Sequence, residues 1–205
     1  MKVLLINGSP RQYGCTYTAL REVASTIEEA GIETEIFWLG VKPVSECIAC
    51  GGCRDGRCAI NDVVNAALEK AESADAYIFG SPVHYASASG SITAFLDRFF
   101  YCAGSMHRYK PGAAVVSCRR GGSTAALDQL NKYFTISQMP VVSSQYWNMV
   151  HGNTPDEVRR DEEGMQIMRT LGRNMVWLLK CIEAGRAAGI EPQYPEKRIG
   201  TNFIR

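Results

Sequence analysis

The chain has 205 residues, 46% hydrophobic and 21% charged, with a formal net charge of +1. That length allows one compact domain burying about 70% of the unfolded surface, and near-neutral charge argues against a nucleic-acid binder, whose phosphate contacts need a basic surplus. No stretch approaches the ~18 apolar residues of a membrane span, and MKVLLINGSP is too brief for a signal peptide, so a cytoplasmic protein off the membrane is expected.

Val3 to Ile6 is a short apolar run, then NGSPRQYGCT, then Tyr17, Leu20, Val23, Ala24 and Ile27 at spacings of three and four. This reads as a buried strand, a loop and an amphipathic helix stopped by Gly31. A second strand runs from Glu33 to Leu39, and after a cysteine-rich segment Asn61 or Asp62 caps a helix with Val64, Ala67, Leu68 and Ala71 inside. Ala76 to Gly80 is a third strand, SPVHYASASG its loop, and Ile92, Phe95, Leu96 and Phe99 mark the next helix. Ala113 to Ser117 is a fourth strand, with a helix from about Thr124 to Tyr133 behind the CRRGGS loop. Val141 and Val142 supply a fifth strand, and Met165, Met168, Leu171, Met175, Leu178 and Ile182 form the inner stripe of a long closing helix. Strands alternating with helices predict an α/β domain over 1–205, its parallel sheet covered on both faces. From about 189 to 205 the chain reads as an extended arm of the kind that crosses a neighbouring subunit.

Ligands of open α/β sheets sit beyond the carboxyl ends of the strands. The first such loop brings Ser9, Arg11 and Thr16 to a helix N-terminus, where backbone amides and the helix dipole favour an anion. It lacks the lysine of a P-loop and the spacing of a dinucleotide fingerprint. In the second loop Pro82, Val83, His84 and Tyr85 offer apolar and aromatic surface to a planar ring. In the third, Gly121 and Gly122 allow close backbone approach beside Arg119 and Arg120, a pair that more often forms solvated surface.

GSPRQYGCT, the SPVHY loop with its ASASGSITAFLDR helix, and the cysteine cluster together resemble the flavodoxin-like NAD(P)H-dependent FMN reductase family, closest to its iron-sulfur flavoproteins. The resemblance implies a flavodoxin-like three-layer sandwich of strand order 2-1-3-4-5 holding FMN at the sheet edge. By that resemblance Ser9, Arg11, Thr16 and the backbone at Cys15 receive the phosphate. Pro82, Val83, His84, Tyr85 and Ala86, with Ser117, Arg119, Gly121 and Gly122, border the ring and ribityl chain. Cys15 stands where the family more often has Asn or Ser, and His84 where Tyr is frequent.

Cys47, Cys50, Cys53 and Cys58 follow C-x2-C-x2-C-x4-C. Three successive thiolates suit an iron-sulfur cube better than zinc, which usually draws ligands from two separated knuckles. Cys58 as the fourth ligand rests on the resemblance; zinc, or thiols without metal, are the alternatives. Cys15, Cys102, Cys118 and Cys181 read as small core residues, and no acid or base stands out as catalytic. The expected activity passes electrons from NAD(P)H, or from a ferredoxin-like donor, through FMN and a [4Fe-4S] cluster to a small acceptor such as a quinone or flavin, in a homodimer or homotetramer. A non-enzymatic flavodoxin-like carrier is the alternative.

Overall fold

The computed structural model describes residues 1–193, 196, 199 and 200. In chain order it contains β1 (Lys2–Asn7), α1 (Cys15–Glu29), β2 (Glu33–Trp38), α2 (Val63–Glu72), β3 (Ala76–His84), β4 (Ser87–Ala88), α3 (Gly90–Ala103), β5 (Gly112–Cys118), α4 (Ser123–Ile136), β6 (Met149–His151), α5 (Pro155–Arg160) and α6 (Glu162–Ala187). Five of the strands pair in parallel in the order β2-β1-β3-β5-β6, and two-residue β4 folds back on β3. Counting parallel strands alone, this is the expected 2-1-3-4-5 order.

Alternation along the strands builds the three layers. Leu4 and Ile6 of β1, Tyr77 and Phe79 of β3, and Val116 of β5 pack beneath α2, α3 and α4. Val3, Leu5, Ile78 and Val115 point the other way, into the packing under α1 and α6. Because both faces of the central strands are buried, β1, β3 and β5 read as largely apolar runs, whereas the edge strand β2 is only partly buried. Asp62 caps α2 by accepting from the Val64 amide at 3.0 Å. On α6 the buried stripe ends on Leu179, and the expected Leu178 and Ile182 are only half-buried.

Two elements differ from the sequence reading. Val141 makes only an isolated bridge to Gly112, and the fifth parallel strand is Met149–His151. There Gly112 donates to the Pro140 carbonyl and accepts from the Val142 amide, before the chain leaves the sheet and returns as β6. The expected loop after Gly80 is instead strand through His84 and a hairpin, with Tyr85 (φ 50°) and Ala86 (φ 60°) both left-handed. Two left-handed central residues match the right-handed twist of flanking strands. The arm expected from residue 189 lies partly outside the described residues.

Among the described residues no helix is long and apolar enough to cross a membrane.

Candidate functional site

Strand order reverses between the parallel neighbours β1 and β3, so the loops leaving these strands open the crevice where sheets of this order take ligands. The first loop is fixed internally. Asn7 accepts from the Ser9 amide at 3.1 Å and donates to the Gln12 carbonyl at 2.9 Å, Ser9 Oγ accepts from the Arg11 amide at 3.2 Å, and Trp38 Nε1 donates to the Ser9 carbonyl at 2.8 Å. These bonds hold a tight bend whose last residue, Gly14, begins α1 with no side-chain cap. The first amides of α1 therefore face the crevice without a side-chain acceptor, at the positive end of the helix dipole.

Thr16 Oγ1 and Ser117 Oγ lie 2.8 Å apart and both residues are buried, joining the start of α1 to the end of β5. One hydroxyl proton serves that mutual bond and the other is free for an acceptor in the crevice. The crevice has a volume of about 260 Å³. Ser9, Arg11, Cys15, Thr16, Pro82, Val83, His84, Ser117 and Arg119 all line it. Arg11, His84 and Arg119 are exposed at its mouth. Tyr85, Ala86, Gly121 and Gly122 form the adjoining rim rather than the lining. Gly122 has φ +89°, and a Cβ there would stand 2.5 Å from Ala86 Cα, so only glycine lets the third loop lie against the hairpin.

Pro10, Cys118, Gly152 and Asn153 also line the crevice and were not anticipated. The last two follow β6, which sequence reasoning had placed eight residues too early. Burial raises the thiol pKa of both Cys15 and Cys118. The sequence reading of Cys181 as a core thiol fails, because it is exposed on α6.

The second cluster lies between β2 and α2. Asp55 (φ 48°) and Gly56 (φ 73°) form a two-residue turn, across which Arg54 and Arg57 exchange backbone hydrogen bonds of 3.1 and 2.8 Å. The x4 spacing is thus a miniature hairpin that sets Cys53 and Cys58 opposite each other. Asn65 holds the far side, accepting from the Cys58 amide at 2.8 Å and donating to its carbonyl at 2.9 Å.

Arg98 of α3, only 1% exposed, comes up beneath this loop. Its Nε donates to Cys58 Sγ at 3.3 Å, while both terminal nitrogens reach Asp62, at 2.7 and 2.9 Å. Burial by itself would raise the Cys58 pKa, but the Arg98 hydrogen bond and the Ile60 amide outweigh it and bring the thiol below its ordinary value. Arg98, Tyr101 and Cys102 complete a small wall with Cys47, Cys50, Cys53 and Cys58. The space they enclose is about 10 Å³, room for one water at most. Among the described residues no three ligating side chains are arranged to hold a metal ion. The donor set is nevertheless that of a soft-metal site: four thiols on one wall beside a buried cation.

Cys102 is the residue the sequence missed. It was expected to be an ordinary core thiol, but its Sγ lies 3.2 Å from Cys53 Sγ, a contact spanning 49 residues. Nothing in local spacing announces it.

Residues 1–154 match the family model described as NADPH-dependent FMN reductase. The chain belongs to that family. Within it the chain lies close to the iron-sulfur flavoproteins. It is 35% identical over 192 residues to one from Methanocaldococcus jannaschii, covering 89% of this chain and 100% of that protein. To one from Archaeoglobus fulgidus it is 27% identical over 190 residues, covering 86% of this chain and 94% of that one. In fold it is similar to RosB, solved with bound 8-demethyl-8-formylriboflavin-5'-phosphate, with a TM-score of 0.73 at 14% identity over 100% of this chain and 93% of that one. This FMN reductase family member is, in general terms, a flavin-binding oxidoreductase linked to FMN and NAD(P)H.

Proposed function

We propose that the chain takes electrons from NAD(P)H, or from a reduced ferredoxin-like carrier, at an FMN held in the first crevice and passes them to a small acceptor such as a quinone or free flavin. The thiol loop holds a [4Fe-4S] cluster in this reading. The observation that carries it is the uncapped start of α1 beside the buried Thr16–Ser117 hydroxyl pair, an anion site without a P-loop lysine. FMN, when bound, accepts a two-electron hydride and can release electrons singly, and a cluster carries them one at a time.

The chain's own part is to bind and orient. Amides of residues 15–17, Ser9 and the Thr16–Ser117 pair receive the phosphate, while Arg11 and Arg119 at the mouth offset its two charges. Pro82 and Val83 wall the ring, and the crevice side of His84 stays open for a nucleotide or an acceptor. Tyr85 and Ala86 hold the ring edge through the hairpin, and Gly121 and Gly122 let the third loop close against it. Cys47, Cys50, Cys53 and Cys58 supply the cluster's thiolates, and Arg98 supplies a positive charge that offsets them. Hydride delivery to a flavin depends on alignment more than on proton transfer, so no general acid or base is assigned.

Anaerobic purification with flavin, iron and sulfide analysis, followed by mixing with NADH and NADPH, tests this. The expected result is about one FMN with about four iron and four sulfide per chain, flavin bleaching by one of the nucleotides, and loss of iron but not FMN in Cys50→Ser. Unchanged iron in Cys50→Ser removes the cluster assignment. Bleaching by reduced ferredoxin but by neither nucleotide leaves an electron carrier instead of a reductase.

A further inference from the structure

The contact between Cys53 and Cys102 belongs to neither the sequence motif nor the flavin crevice. We propose that these two cysteines form an intramolecular disulfide when the iron-free thiol loop meets hydrogen peroxide, and that this bond locks the loop against metal. Their sulfurs lie 3.2 Å apart, so a shift of roughly 1 Å reaches bonding distance. Cys102 is anchored in the last turn of α3 and is 9% exposed, whereas Cys53 is half-buried on a loop with four left-handed residues, Ala49, Gly51, Asp55 and Gly56. The more exposed partner is therefore the one a small oxidant can reach, and the buried partner waits behind it. Cys58 also lies near Cys102, but its sulfur is engaged by Arg98 and its backbone is held on both sides by Asn65. Cys47 and Cys50 are exposed on the outer part of the loop.

The chemistry proceeds in two steps. The Cys53 thiolate attacks the peroxide, forming an S–O bond as the O–O bond breaks; sulfur is oxidised by two electrons, and the departing oxygen takes a proton and leaves as water. The Cys102 sulfur then attacks Cys53, forming S–S as S–O breaks, and the second oxygen leaves as water with the Cys102 proton. Two thiols and one peroxide give one disulfide and two waters. The bond stops Cys53 from further, irreversible oxidation, and a dithiol reductant reopens it. Formation of the disulfide is independent of the cluster assignment; its effect on metal loading rests on that reading.

The test uses the full chain, stripped of iron by a chelator, treated with one equivalent of hydrogen peroxide, alkylated and mapped without reduction. The expected map links the Cys53 and Cys102 peptides, and in Cys102→Ser or Cys102→Ala it shows Cys53 trapped as a sulfenic acid. A map that pairs Cys53 with Cys47, Cys50 or Cys58, or that leaves Cys102 fully alkylated, overturns the proposal. In a second arm, oxidised protein given ferrous iron and sulfide without reductant should load roughly fivefold less iron than after dithiothreitol. Equal loading of oxidised and reduced wild type contradicts the lock. Failure of every sample to load iron removes the cluster reading instead, and the peptide map still decides the disulfide.

Discussion

Arg98 commits all five of its N–H donors beneath the thiol loop, to Cys58 Sγ, twice to Asp62, and to the carbonyls of Ser45 and Ile60. Replacing it with Met removes the ion-pair partner of Asp62, leaving that carboxylate the Val64 amide, and takes a donor from the Ser45 and Ile60 carbonyls. Since the Asp62 side chain is 28% exposed, the loss falls short of that for a fully buried pair, and Arg98→Met should cost about 2–4 kcal/mol in urea unfolding. Lys cannot restore the fork, so Arg98→Lys should recover less than half of it. A loss below about 1 kcal/mol would show that the loop does not depend on this side chain. His107 acts on the same scale. It is fully buried among Phe99, Phe100 and Tyr77, with no partner for Nδ1 among the described residues. Burial lowers its pKa from 6.5 to about 4, against a smaller upward pull from the Phe99 carbonyl. Above pH 6.5 both folded and unfolded chains leave it neutral. Below that the unfolded chain takes the proton first, so stability falls as the pH drops toward 4, by about 2 kcal/mol at pH 5. In His107→Phe, which keeps the aromatic packing, the difference in urea midpoint between pH 7 and pH 5 should shrink; an unchanged difference would place the acid sensitivity elsewhere. Neither role is legible in sequence, because an arginine in LDRFF and a histidine after a helix look like surface until the tertiary structure buries them.

At the scale of elements, the two short turns carry the sites. Asp55-Gly56 is a strong hairpin signal, yet in the sequence it is overshadowed by the cysteine spacing around it. Gly56→Val puts a β-branched residue at φ 73° and should lower iron retention on anaerobic purification severalfold while leaving FMN content unchanged. Equal loss of both would mean that the loop and the crevice fold as one unit. Gly122→Ala should cost about 1–3 kcal/mol, since the hairpin backbone at Ala86 has no flexible end to yield. The hairpin itself was misread, because Tyr85-Ala86 lacks the Asn-Gly chemistry that usually marks left-handed pairs. β6 was misplaced for a related reason: Val141-Val142 has the β-branched composition of a strand, but it only touches the sheet edge at Gly112, and the pairing with β5 is completed by the less distinctive Met149–His151.

On the scale of the whole molecule, helices α1 and α6 cover one face of the sheet and α2, α3 and α4 the other, leaving the carboxyl edge open where strand order reverses. Short apolar runs alternating with 3.6-residue patterns made that architecture legible, and the three loops leaving β1, β3 and β5 do converge on one crevice. What stayed hidden was long-range: Gly152 and Asn153 reach the crevice from the far end of the sheet, and Cys102 reaches Cys53 across 49 residues. Both are products of packing, and no window of sequence contains both partners. The central claim is that the uncapped start of α1 with the Thr16–Ser117 pair holds the phosphate of FMN. An equilibrium FMN titration of the wild type and of the Thr16→Val, Ser117→Ala double variant tests it most directly. One FMN per chain in the wild type and binding weakened at least about tenfold in the variant is the predicted result; unchanged affinity in a folded variant, or no FMN binding by the wild type, would contradict it.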